Sequence, residues 1–158
     1  MATIGGSELT FLDAAGKVLG TEHQSEIEKK QLRNLARALE LIKATAGYPE
    51  GARYKWNVEV LWAVESFLRQ APPEQQREFF DAVRNGQMGL QAMYGNELTG
   101  LCRPEELRQL FAYATRLGRQ CGVPVDNAMI SDVPGYTRAF ISCGLHSQHP
   151  RTNGEVVS

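Results

Sequence analysis

Arg53-Tyr54-Lys55-Trp56-Asn57-Val58-Glu59-Val60-Leu61-Trp62 decides how the fold is read. Its first six residues are short, aromatic and β-branched, the composition of a strand. They run directly into a helical pattern carrying Leu61, Trp62, Val64, Phe67 and Leu68. Upstream, Ser25 and Glu28 have capping-box spacing, and Ile27, Leu32, Leu35, Ala36, Leu39 and Ile42 recur at helical intervals, predicting a long amphipathic helix that Gly47 and Pro49 stop. Downstream, Pro72-Pro73 ends one helix and opens another, which places Phe79, Phe80 and Val83 on one face and closes at Asn85-Gly86. Gln87 to Tyr94 then reads as a strand. Pro104, Glu105 and Glu106 begin a helix whose stripe is Leu107, Leu110, Phe111, Ala114 and Leu117, up to Gly122, and Val125 to Ser131 reads as a last strand.

Helix and strand thus alternate after residue 25 with short connections, which predicts an α/β fold of parallel strands joined by helical crossovers. A closed (β/α) barrel usually takes about 250 residues, so the expectation is part of a barrel. Three parts follow: residues 1–23, with a strand or hairpin around Leu9–Leu12 and Lys17–Leu19; a partial barrel over 24–137; and a tail over 138–158 whose polar end, from His146 to Glu155, has no periodicity and is expected to be flexible.

Composition narrows the function. With 17 basic against 18 acidic side chains, the chain lacks the clustered basic excess of a nucleic-acid or anionic-membrane binder. No apolar run approaches the roughly 20 residues that span a bilayer, and the first residues carry no secretory pattern, so a cytoplasmic location is expected. Cys102, Cys121 and Cys143 are odd in number and never in CxxC spacing, which suggests neither a disulfide framework nor a cysteine zinc site.

In parallel α/β folds, chemistry gathers just past the strand ends. Those positions here are Asn57 and Glu59; Tyr94, Asn96 and Glu97; and Ser131 and Asp132. Asp132 follows the apolar run Ala128-Met129-Ile130 and precedes Val133-Pro134-Gly135, which turns the chain sharply. A carboxylate there can serve as nucleophile, acid/base or metal ligand, or simply close an Asx turn before the proline. For Glu59, Tyr94, Asn96 and Glu97 the plain alternative is loop capping or a solvated face. Trp56 and Trp62 can be core or contact surface.

Three segments taken together, Arg53 to Trp62, Tyr94-Gly95-Asn96-Glu97-Leu98-Thr99-Gly100-Leu101-Cys102-Arg103-Pro104-Glu105-Glu106-Leu107, and Asp126 to Thr137, resemble the N-terminal catalytic domain of glycoside hydrolase family 38 in its bacterial branch. The resemblance covers Gln24 to Thr137. It implies a seven-stranded (β/α) barrel, a catalytic zinc and retaining hydrolysis of α-mannosides through a covalent glycosyl-enzyme. On that resemblance Asp132 is the nucleophile and a zinc ligand, while Glu59, Tyr94, Asn96 and Glu97 line the sugar site. The resemblance implies a mannoside-like carbohydrate substrate, and the charge balance and apolar patterning predict neither nucleic acid nor membrane as a partner.

The resemblance also fails in two places. The family's His-x-Asp-x-Gly-aromatic-Thr motif would fall where the chain reads Ala15-Gly16-Lys17-Val18-Leu19-Gly20-Thr21, with Ala15 and Lys17 in place of the two expected zinc ligands. Lysine brings a fixed positive charge instead of a donor. Past Thr137 the pattern departs again, so the general acid and a final ligand would lie beyond this C-terminus, and the chain is expected to be a fragment with impaired activity. His146 and His149 have ligand-like spacing, but no carboxylates accompany them. A non-catalytic barrel remnant that binds carbohydrate or a partner, or a gene fragment without function, is the alternative. An incomplete barrel would also self-associate through its exposed edges.

Overall fold

The structure is a computed structural model and describes residues 3–5, 8–12, 18–129 and 135–148. Three N-terminal strands, β1 (Thr3–Gly5), β2 (Glu8–Leu12) and β3 (Val18–His23), form an antiparallel sheet in the order β1-β2-β3. Its register pairs Ile4 with Leu9 and Thr10 with Thr21, and slips between Phe11 and Leu12. β3 passes straight into α1 (Gln24–Ala44), the longest helix. There follow β4 (Trp56–Asn57), α2 (Leu61–Gln70), α3 (Pro73–Arg84), β5 (Met88–Gly89), α4 (Pro104–Cys121) and α5 (Arg138–Gln148).

Helix ends follow local chemistry. Pro73 opens α3, and Asn85 closes it just before Gly86, whose φ of 66° suits glycine. At α4, the Arg103 N–H donates to the Glu106 carboxylate at 2.7 Å, occupying a backbone donor just ahead of the helix. The Arg103 guanidinium, which also donates to this carboxylate at 2.9 Å, and then the backbone contact hold the Glu106 carboxyl below its ordinary pKa. The other end closes at Gly122, with φ 72°, where the Val123 N–H donates to the Gly118 carbonyl at 3.0 Å. At α1 the expected cap is not used: Glu28 instead accepts hydrogen bonds from Ser66 and Gln70 of α2.

The helices bury their apolar faces on one another. Leu35, Ala38, Leu39 and Ile42 of α1 meet Leu61, Val64 and Phe67 of α2 and Phe79, Ala82 and Val83 of α3 in one core. The core continues through Met88, Leu90 and Met93 to Leu107, Phe111, Ala114 and Leu117 of α4. Phe79 is fully buried, its ring 6.2 Å from Phe67 and 5.8 Å from Phe80 between centroids. α5 packs on α4, with the Phe140 ring tilted against Phe111 at 5.2 Å between centroids.

This architecture corrects the expectation of a partial seven-stranded barrel. Helices dominate the described residues, and the parallel sheet has only two strands, β4 and β5. The expected strand over Gln87 to Tyr94 shrinks to Met88–Gly89 because Gln-Met-Gly-Leu-Gln-Ala-Met-Tyr holds no β-branched residue. Residues 123–129 form no strand, since Pro124, Asp126, Asn127 and Ala128 all disfavour one. Arg53 to Val58 likewise pairs only at Trp56 and Asn57. The N-terminal segment carries a three-stranded sheet where a single strand or hairpin is expected, and the expected tail begins as α5. Among the described residues, no helix is long and apolar enough to cross a membrane.

Candidate functional site

Where β4 ends, three stretches of chain are tied together by backbone hydrogen bonds. β4 and β5 pair in parallel, Trp56 opposite Met88 and Asn57 opposite Gly89. The Trp56 and Val58 N–H groups donate to the Gln87 and Gly89 carbonyls, each at 3.0 Å. The first N–H groups of a helix have no partner within it. In α2 those of Leu61 and Trp62 donate to the carbonyls of Met93 and Tyr94, at 3.1 and 3.0 Å, so the segment after β5 is fastened to the start of α2. The third stretch joins through the Ala92 N–H, which donates to the Asn127 carbonyl at 2.8 Å, and the Asn127 amide, which donates to the Leu90 carbonyl at 3.4 Å.

A cavity of about 310 Å³ opens at this junction. Gln31 and Asn34 of α1, Trp56, Asn57, Glu59 and Met129 line it, over a floor that includes the buried Leu35 and Val58. The Asn57 side chain lies so close to β5 that a Cβ built on Gly89 would collide with its Oδ1. Glycine at position 89 is therefore what lets Asn57 sit beside the strand. Glu59, one of the lining residues, accepts a hydrogen bond from the Asn96 amide at 3.2 Å.

The structure brings two of the four expected sugar-site residues, Glu59 and Asn96, together and sends Tyr94 elsewhere. The Tyr94 hydroxyl donates to Glu65 at 2.6 Å, and its ring meets Tyr113 edge-on at 5.8 Å. Both tyrosines line a separate, more open groove of about 420 Å³ along α4, where the Arg116 guanidinium lies 5.2 Å from the centre of the Tyr113 ring. The hydrogen bond to Glu65 and burial raise the Tyr94 pKa, and burial pushes Tyr113 up to about 12. Both phenols stay protonated at neutral pH, so this groove is a donor surface and not a base. Glu97 is exposed and lines neither cavity. Burial, then the Glu97 and Glu106 carboxylates, raise the pKa of the Cys102 thiol and keep it protonated and unreactive.

Asp132, Ala15 and Lys17 lie outside the described residues. Among the described residues, no group of three or more His, Cys, Asp or Glu side chains could hold a metal ion, and around Glu59 the lining offers amides instead of further carboxylates. With Asp132 outside the described residues, the lining around Glu59 supplies one carboxylate and amides, which do not by themselves make a zinc site. Gln31, Asn34 and Gln91 were not singled out by the sequence. The first two sit on a helix whose polar face has no marker of function, and Gln91 lies in a stretch with no distinctive motif. Comparisons of the chain with protein-family models, with curated proteins and with solved structures find no match.

Proposed function

We propose that the chain binds a carbohydrate, mannoside-like by the resemblance, in the cavity at the carboxyl end of β4. One observation carries this reading: an indole, Trp56, lines the same cavity as Asn34, Asn57 and Glu59. A sugar presents an apolar C–H face and an edge of hydroxyls that both donate and accept. An aromatic ring suits the first, and amides and a carboxylate suit the second. Pockets for small ligands run from about 300 Å³ upward, so the volume fits one or two sugar rings. The Asn96 amide orients the Glu59 carboxylate. A cytoplasmic location belongs to the same reading, supported by Cys102, Cys121 and Cys143 as free thiols.

The test is a titration of the full chain with α-linked mannobiose, followed by tryptophan fluorescence and by amide chemical shifts. Binding should perturb Asn34, Asn57, Glu59 and Met129. Glu59→Ala should weaken it about tenfold or more, the usual consequence of removing a charged hydrogen-bond partner. Saturable binding unaffected by Glu59→Ala and Asn57→Ala, or no binding, overturns the proposal.

A second reading is favoured by one further observation. Met129 lines the cavity and stands, in the sequence, three residues before Asp132, the carboxylate that the resemblance makes the nucleophile. Retaining hydrolysis needs two carboxyl groups about 5 Å apart, and Glu59 would be one of them. Hydrolysis of 4-nitrophenyl α-mannoside by the wild type, lost in Asp132→Asn while mannobiose binding persists, supports this reading. No turnover in the wild type, with zinc present or absent, rejects it.

A further inference from the structure

We infer that Gln91 is the positioning residue that holds the Met129 wall of the cavity in place; the tie rests on geometry alone, and its use in sugar binding rests on the carbohydrate reading. Gln91 is a polar side chain only 3% exposed, in a segment that links β5 to the start of α2. A buried amide persists only when its polar atoms are paired. Its Oε1 accepts two backbone hydrogen bonds, from the Met93 N–H at 3.0 Å and from the Met129 N–H at 3.1 Å. Its Nε2 faces the Met93 carbonyl at 3.4 Å. One oxygen therefore joins two segments separated by 36 residues.

The consequence for the site is specific. The Met93 carbonyl accepts the first N–H of α2, so Gln91 is anchored to the helix that begins next to Glu59. Among the described residues, Met129 lies beyond the last backbone hydrogen bond, Ala92 to Asn127, that pins its segment, and it is 47% exposed. Without the acceptor on Gln91, Met129 loses its hold on the cavity wall while the helical core is untouched.

Amide hydrogen exchange in the full-length chain reads this tie without any ligand. Gln91→Leu removes the acceptor, Gln91→Asn keeps an amide but withdraws it by one methylene, and Gln91→Glu, compared with the others at about pH 5 where burial holds its carboxyl protonated, keeps an acceptor oxygen at the right reach and an O–H donor for the Met93 carbonyl. Exchange at Met129 should quicken about tenfold in the Leu and Asn variants, as for loss of one protecting hydrogen bond, and stay near wild type in Gln91→Glu, with Val64 and Phe67 of α2 unchanged in all three. If Gln91→Leu fails to fold, the comparison of Asn with Glu decides. Equal Met129 exchange in those two variants, or protection lost together with that of α2, overturns the inference. Mannobiose affinity is then measured on the same proteins. A wild type that does not bind, with the exchange pattern as expected, rejects the carbohydrate reading and leaves the tie standing, whereas binding unchanged in Gln91→Asn rejects its role in the site.

Discussion

Gly118→Ala sets two known quantities against each other at one position. Gly118 lies in the last turns of α4, where alanine normally improves a helix over glycine by about 0.8–1.0 kcal/mol. Here, however, a Cβ would come 2.9 Å from the Val123 carbonyl oxygen and 2.9 Å from Val125 Cγ2. The first of these is backbone, and it cannot simply withdraw. The Val123 N–H is bound to the Gly118 carbonyl at 3.0 Å in the turn that ends the helix, so relieving the contact means opening that turn. Overpacking of this kind costs about 1–3 kcal/mol. Repulsion exceeds propensity, leaving a net loss on the order of 1 kcal/mol that lowers Tm by about 2–4 °C for a domain of this size. Thermal unfolding followed by circular dichroism measures it. A Tm equal to or above that of the wild type would refute the reasoning, because it would mean that residues 123–125 do not lie against α4 as described.

Other outcomes follow from the same structure. Gly89→Ala makes the contrasting case: its Cβ meets only the far end of the exposed Asn57 side chain, which can swing aside. Stability should therefore change by less than about 1 kcal/mol in chemical denaturation, while mannobiose binding weakens because Asn57 is displaced. Phe79→Ala should cost about 3–5 kcal/mol and threaten folding altogether, as read from urea unfolding, since the ring is fully buried between α1, α2 and α3. Tyr113 ionises at about 12 in the folded chain and near 10 when unfolded, so its contribution to stability is complete below pH 10 and lost as pH rises toward 12. Urea midpoints at pH 9 and pH 11 should show a smaller alkaline loss in Tyr113→Phe than in the wild type.

The helices were legible because their signals are local. Apolar spacing, Pro73, Asn85-Gly86, Pro104 and Gly122 each act within a turn, and α2, α3 and α4 begin and end within a residue or two of where those residues put them. The sheet was not legible in the same way. Alternation of helix and apolar segment is equally compatible with strands and with extended chain that packs on helices, and only a ladder of paired residues distinguishes them. Gln87 to Tyr94 has the position of a strand without its β-branched composition, and Val125 to Met129 is interrupted by Asp126 and Asn127, while Ile130 and Ser131 lie outside the described residues. Asn57 and Glu59 could be found at the end of the aromatic strand, and both line the cavity. Asn34 and Gln91 could not, because their roles arise from segments that meet only after folding.

The most direct test of the account is the amide map of the full chain titrated with α-linked mannobiose. The account predicts saturable shifts confined to Asn34, Asn57, Glu59 and Met129, the residues that line the cavity beside Trp56. Shifts centred on Tyr94 and Tyr113 in the groove along α4, or none at all, would contradict it.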